Sequence, residues 1–81
     1  MKNENSEEKS IRILKIMKRL NQKEIVNRSG LANEFRVDKK TIQRDIATLR
    51  NYFFEEGESD IKYSSSKKGY YLEKNDKIAF T

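Results

Sequence analysis

The chain has 81 residues, a formal net charge of +5 and a hydrophobic content of 35%, which together suit one small domain with a modest core. The excess of basic residues favours a polyanionic partner, either nucleic acid or an anionic membrane surface. The chain has no cysteine and no histidine, which excludes disulfides, a zinc site of the usual kind and histidine-based general-base catalysis.

The remaining ionisable residues do not form a catalytic pattern. The acidic residues cluster around Gly57, where they suit a solvated turn better than a catalytic pair. The polar, acidic N-terminus is unlike a signal peptide, and no apolar run is long enough to cross a bilayer. We therefore expect a cytoplasmic protein, associated with the nucleoid, that is not an enzyme and uses no metal or cofactor.

The first predicted helix runs from about Glu7 to Asn21, with Ser6 as its cap. Residues 1–6 are expected to be disordered because they are polar and terminal. One face of this helix is apolar, at Ile13, Leu14, Ile16, Met17 and Leu20. The basic residues expected on its outside are Lys9, Arg12, Lys15, Lys18 and Arg19. Such a helix can also bind membranes, but its apolar stripe is narrow and contains no aromatic residue.

The next segment predicts a short strand followed by a short helix. Residues 24–26 include two β-branched residues and suit a one-rung strand. Asn27 is a suitable N-cap for a helix from Arg28 to Phe35. Arg36 then occupies a turn position that favours positive φ, and Val37 is expected to pack between the flanking helices.

The recognition helix, as we call residues 38–54, has the clearest pattern in the chain. Its large apolar residues follow a spacing of four, three and four, which gives one narrow helical stripe. They are Ile42, Ile46, Leu49 and Phe53. The opposite face carries Lys40, Arg44, Ala47 and Asn51. Asp38 is expected to cap the helix by accepting a backbone N–H. By itself this pattern fits a solvated surface helix as well as a DNA-binding helix.

A β-hairpin is predicted after the stop at Gly57. Residues 61–64 and 70–73 alternate apolar and polar and are separated by a polar loop with a glycine at its exit. The residues expected on the inner face are Ile61, Tyr63, Tyr70 and Leu72, with Tyr71 pointing outward. We call Lys67 and Lys68, at the tip of this hairpin, the wing-tip lysines. Residues 75–81 form a charged tail, expected to be a linker.

Three helices and a hairpin, a mainly α arrangement, predict a winged helix-turn-helix domain over residues 7–74. Positive charge supports this prediction. Residues 36–54 and residues 61–74 each have a net charge of +3, whereas residues 55–60 carry four acidic residues and no basic one. In this arrangement the recognition helix enters the major groove of double-stranded DNA and the hairpin contacts the flanking backbone.

Each predicted DNA-binding residue has a role set by its chemistry. Arg44 and Gln43 can pair with base edges, and Thr41 can contact a thymine methyl group or a phosphate. Lys39 and Lys40 can contact phosphates at the helix N-terminus. The wing-tip lysines can contact the flanking backbone.

The run RVDKKTIQRDIATLR at residues 36–50 resembles the recognition-helix motif of DeoR-like regulators and of WYL-domain transcriptional regulators. The matching positions are Thr41, Ile42, Arg44, Asp45, Ile46 and Leu49. The runs IRILKIMKRL and KKGYYL are also similar, so the resemblance covers about residues 9–74. It implies bacterial, sequence-specific transcriptional control and a C-terminal effector or oligomerisation domain beyond this chain. Arg36 and Asp38 depart from the family pattern, which often has Gly and Ser there.

Further expectations concern oligomeric state and partners. One module reads a short half-site, so we expect a homodimer in the full-length protein. Any effector ligand is expected to bind a domain not in this chain.

Each site residue also has a plainer interpretation. Arg44 could form a surface ion pair, and Gln43 and Thr41 could simply be solvated. Asp45 is expected to pair with a basic side chain, and Tyr63 and Tyr70 to belong to the hairpin core. Tyr71 could stack on nucleic acid or simply be exposed. The alternatives for the whole chain are a winged-helix module that binds protein, or the regulatory head of a larger enzyme, as in biotin-ligase repressors.

Overall fold

Three helices followed by an antiparallel β-hairpin make up the part of the chain that the structure describes, as the sequence predicts. The computed structural model describes residues 6–57 and 59–74. The elements are α1 (Ser6–Asn21), α2 (Arg28–Phe35), α3 (Lys39–Glu56), β1 (Ser59–Ser64) and β2 (Gly69–Lys74). The disordered N-terminus is expected at residues 1–6 and the linker at residues 75–81; of these, residues 1–5 and 75–81 lie outside the described residues.

The apolar stripe of α3 forms the centre of the core. Ile42, Ile46, Leu49 and Phe53 are all buried, as their spacing predicts. The other buried apolar residues of the described chain are Ile16, Leu20, Val26, Leu31, Ala32 and Ile61. Each large side chain buried in this way contributes about 1.5–3 kcal/mol. Burial of one stripe of α3 leaves its opposite face outside the core.

The α1 helix is rotated relative to its predicted orientation. It begins at Ser6, so Ser6 lies within the helix. Ile16 and Leu20 are buried as predicted, but Leu14 is 56% exposed. Arg12, predicted on the outside, is only 4% exposed. Both predictions are wrong because α1 buries the side that carries Arg12, Ile16 and Leu20, which follow one another at intervals of four residues.

A buried ion pair accounts for the position of Arg12. Its guanidinium group donates from Nε to Asp45 Oδ2 and from Nη2 to Asp45 Oδ1, the second bond measuring 3.0 Å. Asp45 is 1% exposed. The predicted pairing of Asp45 with a basic side chain is confirmed. Such a bidentate pair fixes both the separation and the relative orientation of α1 and α3.

The helix-turn-helix consists of α2, a short turn and α3. Asn27 Oδ1 accepts the backbone N–H of Gly30 at 2.9 Å, which confirms Asn27 as the cap of α2. Arg36 has φ 59° and ψ 45°, the left-handed conformation predicted for the turn. Val37 is half-buried against the core, as predicted.

The C-terminal end of α3 forms as the sequence predicts, whereas its N-terminal end differs from the prediction. Gly57 has φ 74° and closes the helix as predicted. Asp38 occupies the N-cap position, but its side chain accepts no backbone N–H from the described chain. Its carboxylate instead accepts the Thr41 hydroxyl group at 3.0 Å. The predicted capping bond is therefore wrong, because the backbone N–H of Thr41, which such a bond would use, donates to the Asp38 carbonyl oxygen at 3.1 Å.

The hairpin packs on the helices through the inner face of its strands. Ile61 pairs with Leu72 and Tyr63 with Tyr70 across the strands. Ile61 is 2% exposed, and Tyr70 and Leu72 are half-buried, as predicted. Tyr63 is 55% exposed, so its predicted place in the hairpin core is wrong. Its ring packs edge-on against Tyr70, with the ring centroids 5.0 Å apart, and its remaining surface is open to solvent. Tyr71, predicted to point outward, is half-buried.

A single β-bridge attaches the hairpin to the segment before α2. The backbone N–H groups and carbonyl oxygens of Val26 and Tyr70 are paired in both directions, at 2.9 and 2.7 Å. The predicted one-rung strand at residues 24–26 is thus confirmed. A Cβ atom on Gly69 would lie 2.9 Å from the Val26 carbonyl oxygen, so glycine is required for this close approach.

Candidate nucleic-acid interface

The face of α3 opposite the buried stripe is exposed and basic. Lys39, Lys40, Gln43 and Arg44 are exposed, whereas Thr41 is half-buried. Within the described part of the chain, the side chains of Arg44, Lys39 and Lys40 make no hydrogen bond or ion pair. The surface ion pair considered for Arg44 is therefore not formed with the described residues. Three cationic groups on this face are available to an external anion.

Thr41 and Gln43 are held by neighbouring side chains. The Thr41 hydroxyl group donates to Asp38, which fixes it at the first turn of α3. Gln43 Oε1 accepts a hydrogen bond from Arg28 Nη1 at 3.1 Å. The sequence pattern does not predict a site role for Arg28. The sequence feature that could have indicated such a role is a basic residue directly after the N-cap of α2, because that position places its side chain at the start of the helix.

The wing-tip lysines lie in the turn between β1 and β2, and both are exposed. Lys68 has φ 55°, and its carbonyl oxygen accepts a hydrogen bond from Asn27 Nδ2 at 2.8 Å. Asn27 directly precedes Arg28, which in turn contacts Gln43. The contacts of Gln43, Arg28, Asn27 and Lys68 therefore connect the recognition helix to the tip of the hairpin.

A groove separates the start of α2 from the hairpin. Its volume is about 350 Å³. Its lining is polar, cationic and aromatic, comprising Asn27, Arg28, Ser29, Tyr63, Lys68 and Tyr70. The groove brings Arg28 and Lys68 to the same surface, although 40 residues separate them in the chain. Of these lining residues, the sequence predicts a site role for Lys68 alone.

A family model described as an HTH domain matches residues 12–71. The match extends from Arg12 in α1 to Tyr71 in β2 and includes all of α2 and α3. The chain belongs to this HTH domain family. No curated protein and no solved structure was found to match the chain. Membership of the family supports DNA binding by a helix-turn-helix domain.

Four acidic side chains of the HTH domain belong to α3 or its N-cap position. Asp45 is buried in the ion pair described above, and the Asp38 carboxylate accepts the Thr41 hydroxyl group. Glu55 and Glu56 lie in the last turn of α3, about 25 Å from Lys39 along the helix axis at 1.5 Å per residue. The charge of Asp45 is thus offset by Arg12, whereas the exposed Asp38 carboxylate keeps its charge beside Lys39. The three cations Lys39, Lys40 and Arg44 against Asp38 leave a net charge of +2 on residues 38–44.

A second ion pair of the HTH domain joins α1 to the end of α2 that is remote from Arg28. Arg19 Nη1 donates to Glu34 Oε1 at 2.7 Å, and Nη2 donates to Oε2. These hydrogen bonds lower the pKa of Glu34 and raise the pKa of Arg19. Since both side chains are partly exposed, the pair contributes little stability.

No helix in the described part of the HTH domain has the length and apolar content needed to cross a bilayer.

Proposed function

We propose that this HTH domain is the sequence-specific, double-stranded DNA-binding domain of a bacterial transcriptional regulator similar to the DeoR-like and WYL-domain regulators. The observation that carries the proposal is the exposed face of α3, where Arg44 projects opposite the buried stripe and has no partner in the described chain. A cationic helix face of this kind suits the major groove, which is wide enough to admit an α-helix.

In this proposal the site residues divide into two classes. Arg44 and Gln43 contact base edges and supply specificity. Lys39 and Lys40 contact phosphates beside the N-terminus of α3, and the wing-tip lysines contact the flanking backbone. Thr41, whose hydroxyl group already donates to Asp38, presents its methyl group to a thymine. The phosphate contacts set register and affinity, whereas the base contacts select the sequence.

The proposal extends to the protein that contains this domain. One recognition helix reads few base pairs, so tight binding requires two copies related by a two-fold axis. We propose a cytoplasmic homodimer, associated with the nucleoid, in which any effector binds outside this domain. The domain itself is proposed to have no enzyme activity and to need no cofactor.

The test is duplex binding by the wild-type domain and by Arg44→Ala. We expect wild-type affinity to fall steeply with salt, since bound phosphates displace counterions. Arg44→Ala is expected to lower specific binding by about 5- to 150-fold with little change in melting temperature.

The matched control is Lys18→Ala, because Lys18 is an exposed cation on α1, outside the proposed interface. It is expected to bind like the wild type. Absence of salt-dependent duplex binding by the wild type would refute the proposal and favour a protein-binding module. If Arg44→Ala unfolds the domain while affinity per folded molecule is unchanged, Arg44 is a structural residue.

A further inference from the structure

The contact between Arg28 and Gln43 joins the two helices of the helix-turn-helix at their exposed surface. Arg28 is the first residue of α2 and Gln43 lies in the second turn of α3, with 3.1 Å between Arg28 Nη1 and Gln43 Oε1. Both residues are exposed, and Gln43 is next to Arg44. This pair therefore lies at the edge of the face that the proposed function assigns to base recognition.

Hydrogen-bond chemistry fixes the orientation of the Gln43 amide group. A guanidinium group has only donors, so the atom of Gln43 that faces Arg28 must be its carbonyl oxygen. The amide nitrogen, with two N–H donors, then points away from Arg28. The structure shows no hydrogen bond from that nitrogen to a described residue. Gln43 thus presents donors to a ligand, and its acceptor is already engaged by a charged group.

We propose that Arg28 positions Gln43 so that the pair selects guanine in the major groove, an inference that rests on the proposed function. Guanine presents two acceptors there, N7 and O6, and these match the free N–H groups of Gln43 and the remaining donors of Arg28. Adenine is usually bound by a glutamine that donates to N7 and accepts from the N6 amino group. Arg28 competes for the oxygen that this second mode requires. Arg28 is thus a positioning residue that sets which purine Gln43 reads.

The experiment is selection of bound sequences from a random duplex pool by the wild type, Gln43→Ala and Arg28→Met. Methionine retains much of the aliphatic stem of arginine and removes every donor. We expect the wild type to prefer guanine at one position by at least about fivefold, and Gln43→Ala to lose this preference. Arg28→Met is expected to change the preference at that same position from guanine to adenine.

Lys18→Met is the matched control, because it removes one exposed positive charge from α1. It is expected to keep the guanine preference, and a change of base at that position in this variant would overturn the proposal. Melting temperatures of all variants show whether folding is retained. A purely structural role of Arg28 would lower stability or overall affinity without exchanging one purine for another.

The outcomes separate this inference from the proposed function. If the wild type selects no sequence, both fail. If the wild type selects a site but Arg28→Met still prefers guanine at the position controlled by Gln43, the proposed function stands and the positioning role is refuted. Selection of adenine by the wild type at that position would also refute it.

Discussion

Replacing Asp45 by alanine tests how α1 holds the recognition helix. Arg12 is 4% exposed and Asp45 1% exposed, and two hydrogen bonds join them. The substitution would remove the buried Asp45 carboxylate from the buried Arg12 guanidinium group. Breaking a buried pair from one side costs about 3–5 kcal/mol, because the remaining charge loses a buried group of opposite charge.

This loss is large for a domain of this size. At about 0.05–0.15 kcal/mol per residue, 81 residues have a total stability of about 4–12 kcal/mol. With a fall of about 4–8 °C in Tm for each kcal/mol, Asp45→Ala should lower the Tm by at least about 12 °C. Part of the population is then expected to be unfolded at room temperature if the wild type lies near the lower end of this range.

The assay is urea unfolding followed by far-ultraviolet circular dichroism at constant pH and salt, with the slope m compared between variants. Glu73→Ala is the control, because Glu73 is 56% exposed and lies 3.7 Å from Lys62 in a surface pair. Its removal should cost less than about 1 kcal/mol. The double variant Arg12→Met with Asp45→Leu removes both charges, and we expect it to recover most of the stability lost in Asp45→Ala.

Two results would contradict this reasoning. A cost below about 1 kcal/mol for Asp45→Ala would mean that Arg12 reaches solvent once its partner is gone, so that the pair behaves as a surface pair. A double variant no more stable than Asp45→Ala would mean that the loss comes from packing and not from an uncompensated charge.

Three further predictions concern the wing and the molecular surface. Replacing both wing-tip lysines by alanine should weaken binding to all duplexes alike and reduce the slope of log K against log salt by about 2; an unchanged slope would place the wing outside the interface. Gly69→Ala places a Cβ atom 2.9 Å from the Val26 carbonyl oxygen, so urea unfolding should show a loss of about 1–3 kcal/mol. A loss below about 0.5 kcal/mol would mean that the hairpin shifts at little cost. Glu34→Gln should lower the free energy of unfolding by about 0.2–1 kcal/mol at neutral pH. Hydrogen bonds from Arg19 lower the pKa of Glu34, so the stabilisation is present above the unfolded-state pKa and is lost as the pH falls through the lowered folded-state pKa. The difference from wild type should therefore vanish in strong acid, and its persistence there would assign it to another cause.

The elements that could be predicted from sequence are those determined by neighbouring residues. The spacing of the stripe in α3, the cap at Asn27 and the stop at Gly57 each depend on a few consecutive positions. The left-handed turn at Arg36 follows in the same way from its place between two helices. Local periodicity and capping chemistry are sufficient for such features.

The features that could not be predicted depend on residues far apart in the chain. Arginine is usually exposed, so the residue type alone predicts that Arg12 lies at the surface. Its burial depends on the ion pair with Asp45, which lies 33 positions away in the chain. The contact between Arg28 and Gln43 likewise requires the angle between α2 and α3, which no local pattern specifies. Asp38 differs, because both of its bonds are local: the Thr41 backbone N–H donates to the Asp38 carbonyl oxygen and the Thr41 hydroxyl group donates to its carboxylate.

Asn27 performs two tasks with the two atoms of one amide group. Its oxygen caps α2, and its nitrogen donates to the Lys68 carbonyl oxygen. Deamidation to aspartate would keep the first bond and replace the second by repulsion between two oxygens. The exchange of a single nitrogen for oxygen would thus keep the cap of α2 and remove the side-chain contact to the hairpin tip, while the bridge between Val26 and Tyr70 remains. Chemical ageing at this one position would loosen the wing-tip lysines without disturbing the two helices of the helix-turn-helix.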